Sequence, residues 1–257
     1  MAEKEINDLI NKYSKKVYNL AFRVTGNKFD ADDVVQETFL QVYKNLDNFK
    51  GKSKIYTWIY RIALNNSLKK KSSLNKDYME SIDEKIDIFK DDIPPVVNSW
   101  SDNPEKAYLM NELVSEIHKG CLHFMSFILP EEQRTTYILK NVLDLSYNEI
   151  SEMLGVSKNV IIERLNRARK KLNEYFSKRC KWIDPQNTCS CESRIGFGLA
   201  YDPELLRRVK MQAIKKDAQT VYNEDDKYKR EIDDLYSKLP PIDYDGQDLK
   251  EKILTSL

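Results

Sequence analysis

Apolar residues recur every three or four positions along most of the chain, which is the period of amphipathic helices. This spacing runs from Ile6 to Val24, and Gly26 follows it as a helix-ending residue. A second helical pattern follows Asp30, which we predict as its N-cap. The third predicted helix has the sequence "IYTWIYRIALNNSLKKK". Its predicted inward residues are Ile55, Trp58, Ile59 and Ile62.

The second half of the chain repeats the helical spacing from Leu109 to Ile128, and Pro130 opens a further predicted helix. In "LSYNEISEMLGVSKNVIIERLNRARKKL" two helical patterns meet at Gly155, and Ser157 caps the second. Two short helices joined by a glycine turn are typical of a helix-turn-helix. Its predicted interior residues are Ile150, Met153, Leu154, Val156, Ile161, Leu165, Ala168 and Leu172.

The segment 73–104 interrupts these patterns with acidic residues and prolines, which favours a linker. We therefore predict an all-α chain with two small helical domains, 1–72 and 105–178, joined by an acidic linker at 73–104. The remaining residues, 179–257, are predicted to form a C-terminal extension that contains cysteines and further helices.

The composition narrows the class of protein. The chain has 257 residues, of which only 7 are Gly and 2 are His, and it shows no phosphate-binding loop and no nucleophile with an evident base. We therefore predict that it is not an enzyme. No apolar stretch is long enough to span a membrane, and the N-terminus has no apolar signal core. These features predict a cytoplasmic protein with no membrane partner.

The net charge is only +1, but the charges are unevenly distributed. Residues 48–76 contain eight Lys or Arg and no acid, whereas residues 77–104 contain eight acids and two Lys. Residues 158–181 contain nine basic residues and two acids. The chain therefore has two candidate surfaces for binding a polyanion.

The two basic segments differ in the side chains that accompany the cations. The first contains aromatic and amide groups, as surfaces that bind single-stranded DNA do. Within it, Asn65 is the better candidate for a base contact, because Trp58 lies on the predicted apolar stripe and a core position is favoured for it. The second segment is the second helix of the helix-turn-helix, as expected for docking in a major groove. A solvated basic helix end is the alternative.

Two stretches resemble a known family. "DADDVVQETFLQVYKNLDNFKGKSKIYTWIYRIALNNSLKKK" resembles region 2 of the extracytoplasmic-function (ECF) sigma factors, which are initiation subunits of bacterial RNA polymerase. "LPEEQRTTYILKNVLDLSYNEISEMLGVSKNVIIERLNRARKKL" resembles region 4 of the same family. The order and spacing of the two stretches agree with the family, so the resemblance implies a sigma factor that binds core polymerase and directs promoter recognition, DNA melting and initiation.

The resemblance also implies partners and site residues. The "DDVVQETF" helix docks in this family on the coiled coil of the largest polymerase subunit, and Asp33, Gln36 and Glu37 match the docking positions. The first basic segment melts and reads the −10 promoter element, with Asn65 matching a pocket for an extruded base. Its candidate DNA-binding residues are Lys52, Lys54, Tyr56, Arg61, Asn65 and Lys69.

Region 4 in this family reads the −35 element as duplex and approaches the flap of the second-largest subunit. Its candidate DNA-binding residues here are Lys158, Asn159, Glu163, Arg164 and Arg167. Glu163 departs from the family pattern, and it either accepts from a cytosine amino group or pairs with Arg167. The sequence leaves open whether an anti-sigma factor is a further partner. The alternative function is a free-standing helix-turn-helix regulator, metal- or redox-responsive.

The four cysteines form the last candidate site. Cys180, Cys189 and Cys191 make a C-x8-C-x-C array just after region 4, and turn-forming residues between them can fold the array back on itself. With Cys121, they supply the four thiolates that tetrahedral zinc prefers, so zinc is an open cofactor. His118 or His123 is the alternative fourth ligand. The remaining alternative is that Cys121 is a small core residue and the other three are redox-active or unused.

Overall fold

The computed structural model describes residues 2–70, 93–101, 103, 106–202 and 204–215. Most of the predicted acidic linker lies outside the described residues. The chain divides into two compact units. The described part of unit 1 comprises residues 2–70 and 129–168, and that of unit 2 comprises 93–101, 103, 106–128, 169–202 and 204–215. The boundaries of these two units differ from those of the predicted segments. The division into the predicted segments stays a prediction.

The described residues contain ten α-helices and no β-strand, so the all-α prediction is confirmed. In unit 1, α1 (Ala2–Thr25), α2 (Lys28–Asn45) and α3 (Ile55–Lys69) pack against one another. Their shared core includes Ile6, Ile10, Val17, Leu20, Ala21, Val35, Phe39, Ile59 and Leu64. This packing leaves one face of each helix on the surface.

The prediction that Asp30 caps α2 is wrong. Gly26 ends α1 with a φ of +74°, and Asn27 is the N-cap of α2. The side-chain oxygen of Asn27 accepts hydrogen bonds from the backbone N–H groups of Phe29 and Asp30, at 2.8 and 3.3 Å. Because Asn27 already satisfies these amides, the helix begins earlier than predicted and Asp30 lies in its first turn.

The predicted inward face of α3 is also partly wrong. Ile59 is buried, but Ile55, Trp58 and Ile62 are only half-buried. The residues that α3 does bury are Thr57, Ile59, Tyr60, Ala63, Leu64, Asn66 and Ser67. Tyr60 meets Tyr13 of α1 edge to face at 6.4 Å, and the small residues beside it let the helices approach closely. The helix is therefore rotated from the face that its largest apolar residues indicate.

The helix-turn-helix follows in unit 1. It comprises α6 (Glu131–Asn141), α7 (Tyr147–Leu154) and the first turns of α8 (Lys158–Phe176). Pro130 is the N-cap of α6. Gly155 makes the turn with a φ of +65°, and the Ser157 hydroxyl accepts from the N–H of Val160 at 3.4 Å. Of the predicted interior, Leu154 and Val156 are half-buried and the others are buried.

Unit 2 is built around α5 (Ala107–Met125). The helices that pack on α5 are α4 (Pro95–Ser101), α9 (Ile195–Tyr201) and α10 (Leu205–Lys215). The core of this unit includes Val97, Trp100, Leu113, Ile117, Trp182, Ile195, Leu205 and Val209. The beginning of the C-terminal extension is therefore part of a packed unit with α5.

Candidate nucleic-acid and polymerase interface

The first basic segment forms a loop and one exposed face of α3. Lys52, Lys54, Asn65 and Lys69 are exposed, and Tyr56 and Arg61 are half-buried. Asn65 differs from its neighbour Asn66, which is buried, so Asn65 is the amide available to a ligand. The core position that we favoured for Trp58 is wrong. Trp58 is half-buried, and its ring packs on that of Phe49 with centroids 5.1 Å apart.

A cavity of about 490 Å³ opens beside this surface. Residues of α2, the loop and α3 line it, including Gln41, Asn45, Phe49, Lys50, Lys52, Trp58 and Arg61, and Glu152 of α7 adds one carboxylate. The cavity thus combines aromatic and cationic walls, which suits a nucleobase with its phosphate. The structure brings the loop and Trp58 to this cavity but does not place Asn65 among its lining residues.

Two glutamates of α7 contact the predicted DNA-binding residues within unit 1. The ammonium group of Lys54 lies 3.2 Å from the Glu149 carboxylate, and the Tyr56 hydroxyl donates to the same carboxylate. Arg61 donates to the Glu152 carboxylate at 3.0 Å and to its backbone carbonyl at 2.9 Å. Three groups predicted to bind DNA are therefore bound by carboxylates.

The electrostatics of Glu149 reflect this contact. The hydrogen bond from Tyr56 is the largest cause that lowers the pKa of Glu149, to about 2, and Ser146 and Lys54 lower it further. The Lys54 pKa is raised, chiefly by the hydrogen bonds with Tyr56 and Glu149. Glu149 is therefore a carboxylate at any working pH, and the contact is between charged groups.

The second basic surface is the outward face of α8. Lys158, Asn159, Glu163 and Arg167 are exposed, and Arg164 is half-buried. Arg164 forms an ion pair with Glu132 of α6 at 2.6 Å. Arg167 forms an ion pair with Glu163, which agrees with the second of the two roles considered for Glu163. Lys158 and Asn159 stand in the first turn, where a helix in a major groove contacts base edges.

The predicted polymerase-binding residues lie on the outer face of α2. Asp33 and Glu37 are exposed, and Gln36 is half-buried. The residues of α2 on the opposite side include the buried Val34, Val35, Thr38 and Phe39. Asp33 pairs with Lys70 at 3.0 Å, and Glu37 accepts from Gln41 at 2.6 Å. These are surface contacts that a partner can displace.

Sequence reasoning missed the part that Glu149 and Glu152 play. One signal was present, because Ser146 and Glu149 have the S-x-x-E spacing of a capping box, and the structure contains that box. The spacing predicts the hydrogen bonds of Glu149 with Ser146 but not those with Lys54 and Tyr56. The latter contacts join residues more than 90 positions apart, which local patterns do not predict.

The four cysteines lie in unit 2. Cys191 is buried, and Cys121, Cys180 and Cys189 are partly buried. Within the part of the chain that the structure describes, no group of three or more His, Cys, Asp or Glu side chains stands ready as a metal site. In the same described part, no helix is long and apolar enough to cross a membrane.

Comparison with known proteins gives family matches for two regions of the chain. Residues 9–76 match the family Sigma-70 region 2, and residues 128–172 match Sigma-70, region 4. The chain is 32% identical over 171 residues to the ECF RNA polymerase sigma factor SigW of Bacillus subtilis, covering 65% of this chain and 86% of SigW. It is 31% identical to the ECF RNA polymerase sigma-E factor of Haemophilus influenzae, covering 65% of this chain and 85% of that protein.

Among solved structures, the chain is similar to a sigma factor RpoE in complex with the anti-sigma factor NepR from Bartonella quintana. The TM-score is 0.42 at 17% identity, over 68% of this chain and 98% of that one.

The two matched regions contain every residue that we predicted to bind polymerase or DNA. The chain belongs to the ECF RNA polymerase sigma factors. It is a transcription initiation factor that binds core polymerase and directs promoter recognition, and the interpretation as a free-standing regulator is set aside.

Proposed function

We propose that this sigma factor uses three exposed faces of unit 1 for three separate contacts. The outer face of α2 binds the coiled coil of the largest polymerase subunit. The loop and α3 bind the melted −10 element, and the outer face of α8 binds the −35 duplex. One observation carries the proposal: α2, α3 and α8 each bury one side and leave the predicted binding residues at the surface.

The polymerase contact rests on Asp33 and Glu37. They are one helical turn apart on α2 and both are exposed, so two carboxylates are presented in one direction. Their present partners, Lys70 and Gln41, are themselves surface residues of this chain. Exchanging such exposed contacts for basic residues of a partner costs little. Gln36 lies half-buried beside them and adds an amide to the same face.

The −10 contact rests on the cavity and its surroundings. A base that leaves the duplex can stack on a ring, while cations bind the neighbouring phosphates. Trp58 and Phe49 supply rings, and Lys50 and Lys52 supply cations at the same opening. Asn65, which is exposed on α3 outside the cavity, provides a hydrogen-bonding amide for a second base. We therefore assign the base-stacking role to the cavity and the polar contact to Asn65.

The −35 contact rests on α8. Its first turn presents Lys158 and Asn159, and Arg167 stands farther along the exposed side. This arrangement allows the first turn to contact base edges while the arginine contacts a phosphate. The pair between Glu163 and Arg167 is solvent-exposed, so DNA can replace the carboxylate with a phosphate. The flap of the second-largest subunit is the proposed polymerase partner of region 4.

Promoter binding also requires the contacts of α7 to be exchanged. Glu149 binds Lys54 and Tyr56, and Glu152 binds Arg61. A carboxylate accepts hydrogen bonds from these groups through oxygen atoms, as a phosphate does. DNA must therefore displace both glutamates before these residues can bind the −10 element. The glutamates should therefore lower the affinity of the free factor for DNA.

Run-off transcription with core polymerase and genomic fragments tests the proposed function. Adding the protein should give transcripts from a discrete set of fragments, and core enzyme alone should not. A protein that binds these fragments by itself but never gives transcripts or a complex with core polymerase would contradict the proposal. An anti-sigma factor that binds this protein should co-purify with it. We place the protein in the cytoplasm, where polymerase acts.

A further inference from the structure

The cysteines of this protein lie outside both family matches. The region 2 match ends at residue 76, and the region 4 match covers residues 128–172. Cys121 precedes the second match, and Cys180, Cys189 and Cys191 follow it. The two matched regions therefore assign no role to these residues. All four cysteines of the chain nevertheless belong to unit 2.

The cysteine-bearing tail is folded into a compact turn. An isolated parallel bridge joins Cys180 and Cys189, and the N–H of Lys181 donates to the carbonyl of Cys189 at 3.0 Å. The Asn187 side chain donates to the carbonyl of Cys180 at 3.2 Å, and the N–H of Asp184 donates to the same carbonyl at 3.0 Å. These bonds place the first and second cysteines of the array side by side.

This turn packs against α5. The ring of His118 lies 4.5 Å from that of Trp182, centroid to centroid, and its Nδ1 lies 3.5 Å from the Sγ of Cys191. Cys121 is one helical turn after His118 and therefore on the same side of α5. The turn that carries the three tail thiols therefore packs on the side of α5 that holds Cys121.

Hydrogen-bond donors point at the sulfur atoms of the tail. The backbone N–H of Trp182 is directed at the Sγ of Cys180, and the N–H of Ile183 lies beside it and donates to the backbone carbonyl of Cys180 at 3.1 Å. The Arg194 Nε donates to the Sγ of Cys189 at 3.1 Å, and the Trp182 side chain donates to the Sγ of Cys191. These bonds act against burial, which is the largest cause and raises the pKa of both Cys180 and Cys191. Donors of this kind around ligand atoms orient and support metal-bound ligands.

Of the two alternative ligands, His118 and His123, the second is the less well placed. His123 lies on α5 but is buried between two rings, with centroid distances of 5.3 Å to Phe124 and 5.5 Å to Phe127. It is two residues from Cys121 and so on another side of the helix. His118 faces the tail and supports Cys191 through its ring nitrogen. These positions favour Cys121 as the fourth ligand.

We propose that Cys121, Cys180, Cys189 and Cys191 bind one zinc ion as thiolates and so fasten the C-terminal tail to α5. The described side chains do not stand in a finished metal-binding arrangement. Zinc binding therefore requires rotation about the χ1 bond of the cysteine side chains to bring the four sulfur atoms to a common centre. Up to four thiol protons are released to solvent as the zinc–sulfur bonds form, and no oxidant or reductant takes part.

The test begins with the full chain, purified under reducing conditions without a metal-affinity tag. Native mass spectrometry and elemental analysis should find about one zinc per chain. Replacing zinc with Co²⁺ should give the intense thiolate-to-metal absorption and strong visible bands of a tetrahedral sulfur site. A protein without metal, with four thiols that react rapidly in native buffer, would overturn the proposal. So would a protein without metal that contains a disulfide between Cys180 and Cys189.

Single substitutions then identify the ligands. Cys121→Ser, Cys180→Ser, Cys189→Ser and Cys191→Ser should each weaken Zn²⁺ binding at least tenfold in competition with a chromophoric chelator. Glu192→Gln is the control, because it alters the neighbour of Cys191 but removes no thiol, and it should retain zinc. If His118→Gln lost zinc while Cys121→Ser kept it, the assignment of Cys121 would be wrong. Helical circular dichroism of each variant separates ligand loss from unfolding, and zinc content is measured without transcription, so this test is independent of the proposed function.

Discussion

The promoter-binding surface of unit 1 and the cysteine cluster of unit 2 hold their functional groups in different ways. In unit 1, carboxylates bind Lys54 and Arg61; Lys54 and Glu152 are open to salt and competing phosphates, whereas the Glu149 side chain is mostly buried. In unit 2, the thiols are at least partly buried, and hydrogen-bond donors surround them. Exposed ion pairs can be exchanged for DNA at little cost. Buried thiols are suited to a ligand that stays bound.

The same difference separates what the family shares from what this chain adds. The region 2 and region 4 matches contain the three exposed faces proposed for polymerase and DNA, whereas the cysteines fall outside both. Substitutions in unit 1 should therefore change polymerase or DNA binding and leave zinc content unchanged. Substitution of the cysteines should lower the zinc content and leave polymerase and DNA binding unchanged.

The largest effect is expected at the polymerase contact. Asp33→Lys with Glu37→Lys should abolish association with core polymerase, because both carboxylates of the outer α2 face become cations. Helical circular dichroism should not change, since both side chains are exposed. The measurement is co-elution with core polymerase in size-exclusion chromatography.

A matched control for this variant is Glu5→Lys with Asp8→Lys. These exposed acids of α1 stand about one turn apart, and the charge change is the same. The control should still co-elute with polymerase. Equal binding by both variants would mean that Asp33 and Glu37 are merely solvated.

The second effect concerns DNA melting. Asn65→Ala should reduce open-complex formation about tenfold, because one specific base contact corresponds to roughly 1–3 kcal/mol. Closed-complex binding should change less, since Asn65 is proposed to contact melted DNA only. Permanganate reactivity of promoter thymines measures opening, and Asn11→Ala, an exposed amide on α1, is the control. Unchanged permanganate reactivity would remove Asn65 from the −10 contact.

Local sequence patterns predicted the helices well because each helix buries a continuous apolar stripe. They predicted the face of α3 less well. There Thr57, Ala63 and Ser67 are buried, while Trp58 lies half-buried beside Phe49. Helix packing selects small residues where two helices approach closely, and a pattern weighted by large apolar residues does not detect them.

Long-range contacts were the least predictable part of the site. The contact of Lys54 with Glu149 joins two side chains from distant parts of the chain. Neither residue belongs to the apolar pattern from which the helices were predicted. The approach of Cys121 to the tail was proposed from residue type alone, and the sequence left His118 and His123 equally open. Only the packing of α5 separates these two, because it places His118 beside Cys191 and His123 between phenylalanine rings.

The third effect concerns upstream duplex binding. Arg167→Ala should weaken binding of the −35 duplex and lower the slope of log affinity against log salt by about one. The reason is that one phosphate contact, and the counterion that it releases, is lost. Fluorescence anisotropy across a salt series measures the slope. Lys16→Ala, which removes an exposed cation of α1, should leave the slope unchanged, and an equal decrease in both variants would argue against a specific role for Arg167.

The smallest effect is expected from releasing the α7 contacts. Glu149→Gln with Glu152→Gln should raise the affinity of the free factor for single-stranded −10 DNA by about threefold at low salt, because Lys54, Tyr56 and Arg61 lose competing carboxylates. Glutamine at position 149 keeps the capping box, so α7 should remain folded. The gain should disappear at high salt, where exposed pairs are screened. Glu5→Gln with Asp8→Asn makes the same charge change on α1 and should give a smaller increase in affinity.

Lowering the pH should not reproduce this release. The pKa of Glu149 in the folded chain is lowered to about 2, so its contribution to the contact is complete above its ordinary pKa of 4.5 and is lost only as the pH falls towards 2. DNA affinity of the unchanged protein should therefore show no step from Glu149 between pH 8 and about pH 5. Tyr56→Phe removes the largest cause of the lowered pKa, and carboxyl-carbon NMR titration should then place the Glu149 pKa nearer its ordinary value. A Glu149 pKa that stayed equally low in Tyr56→Phe would show that the capping box with Ser146, rather than the contact with α3, holds this carboxylate ionised.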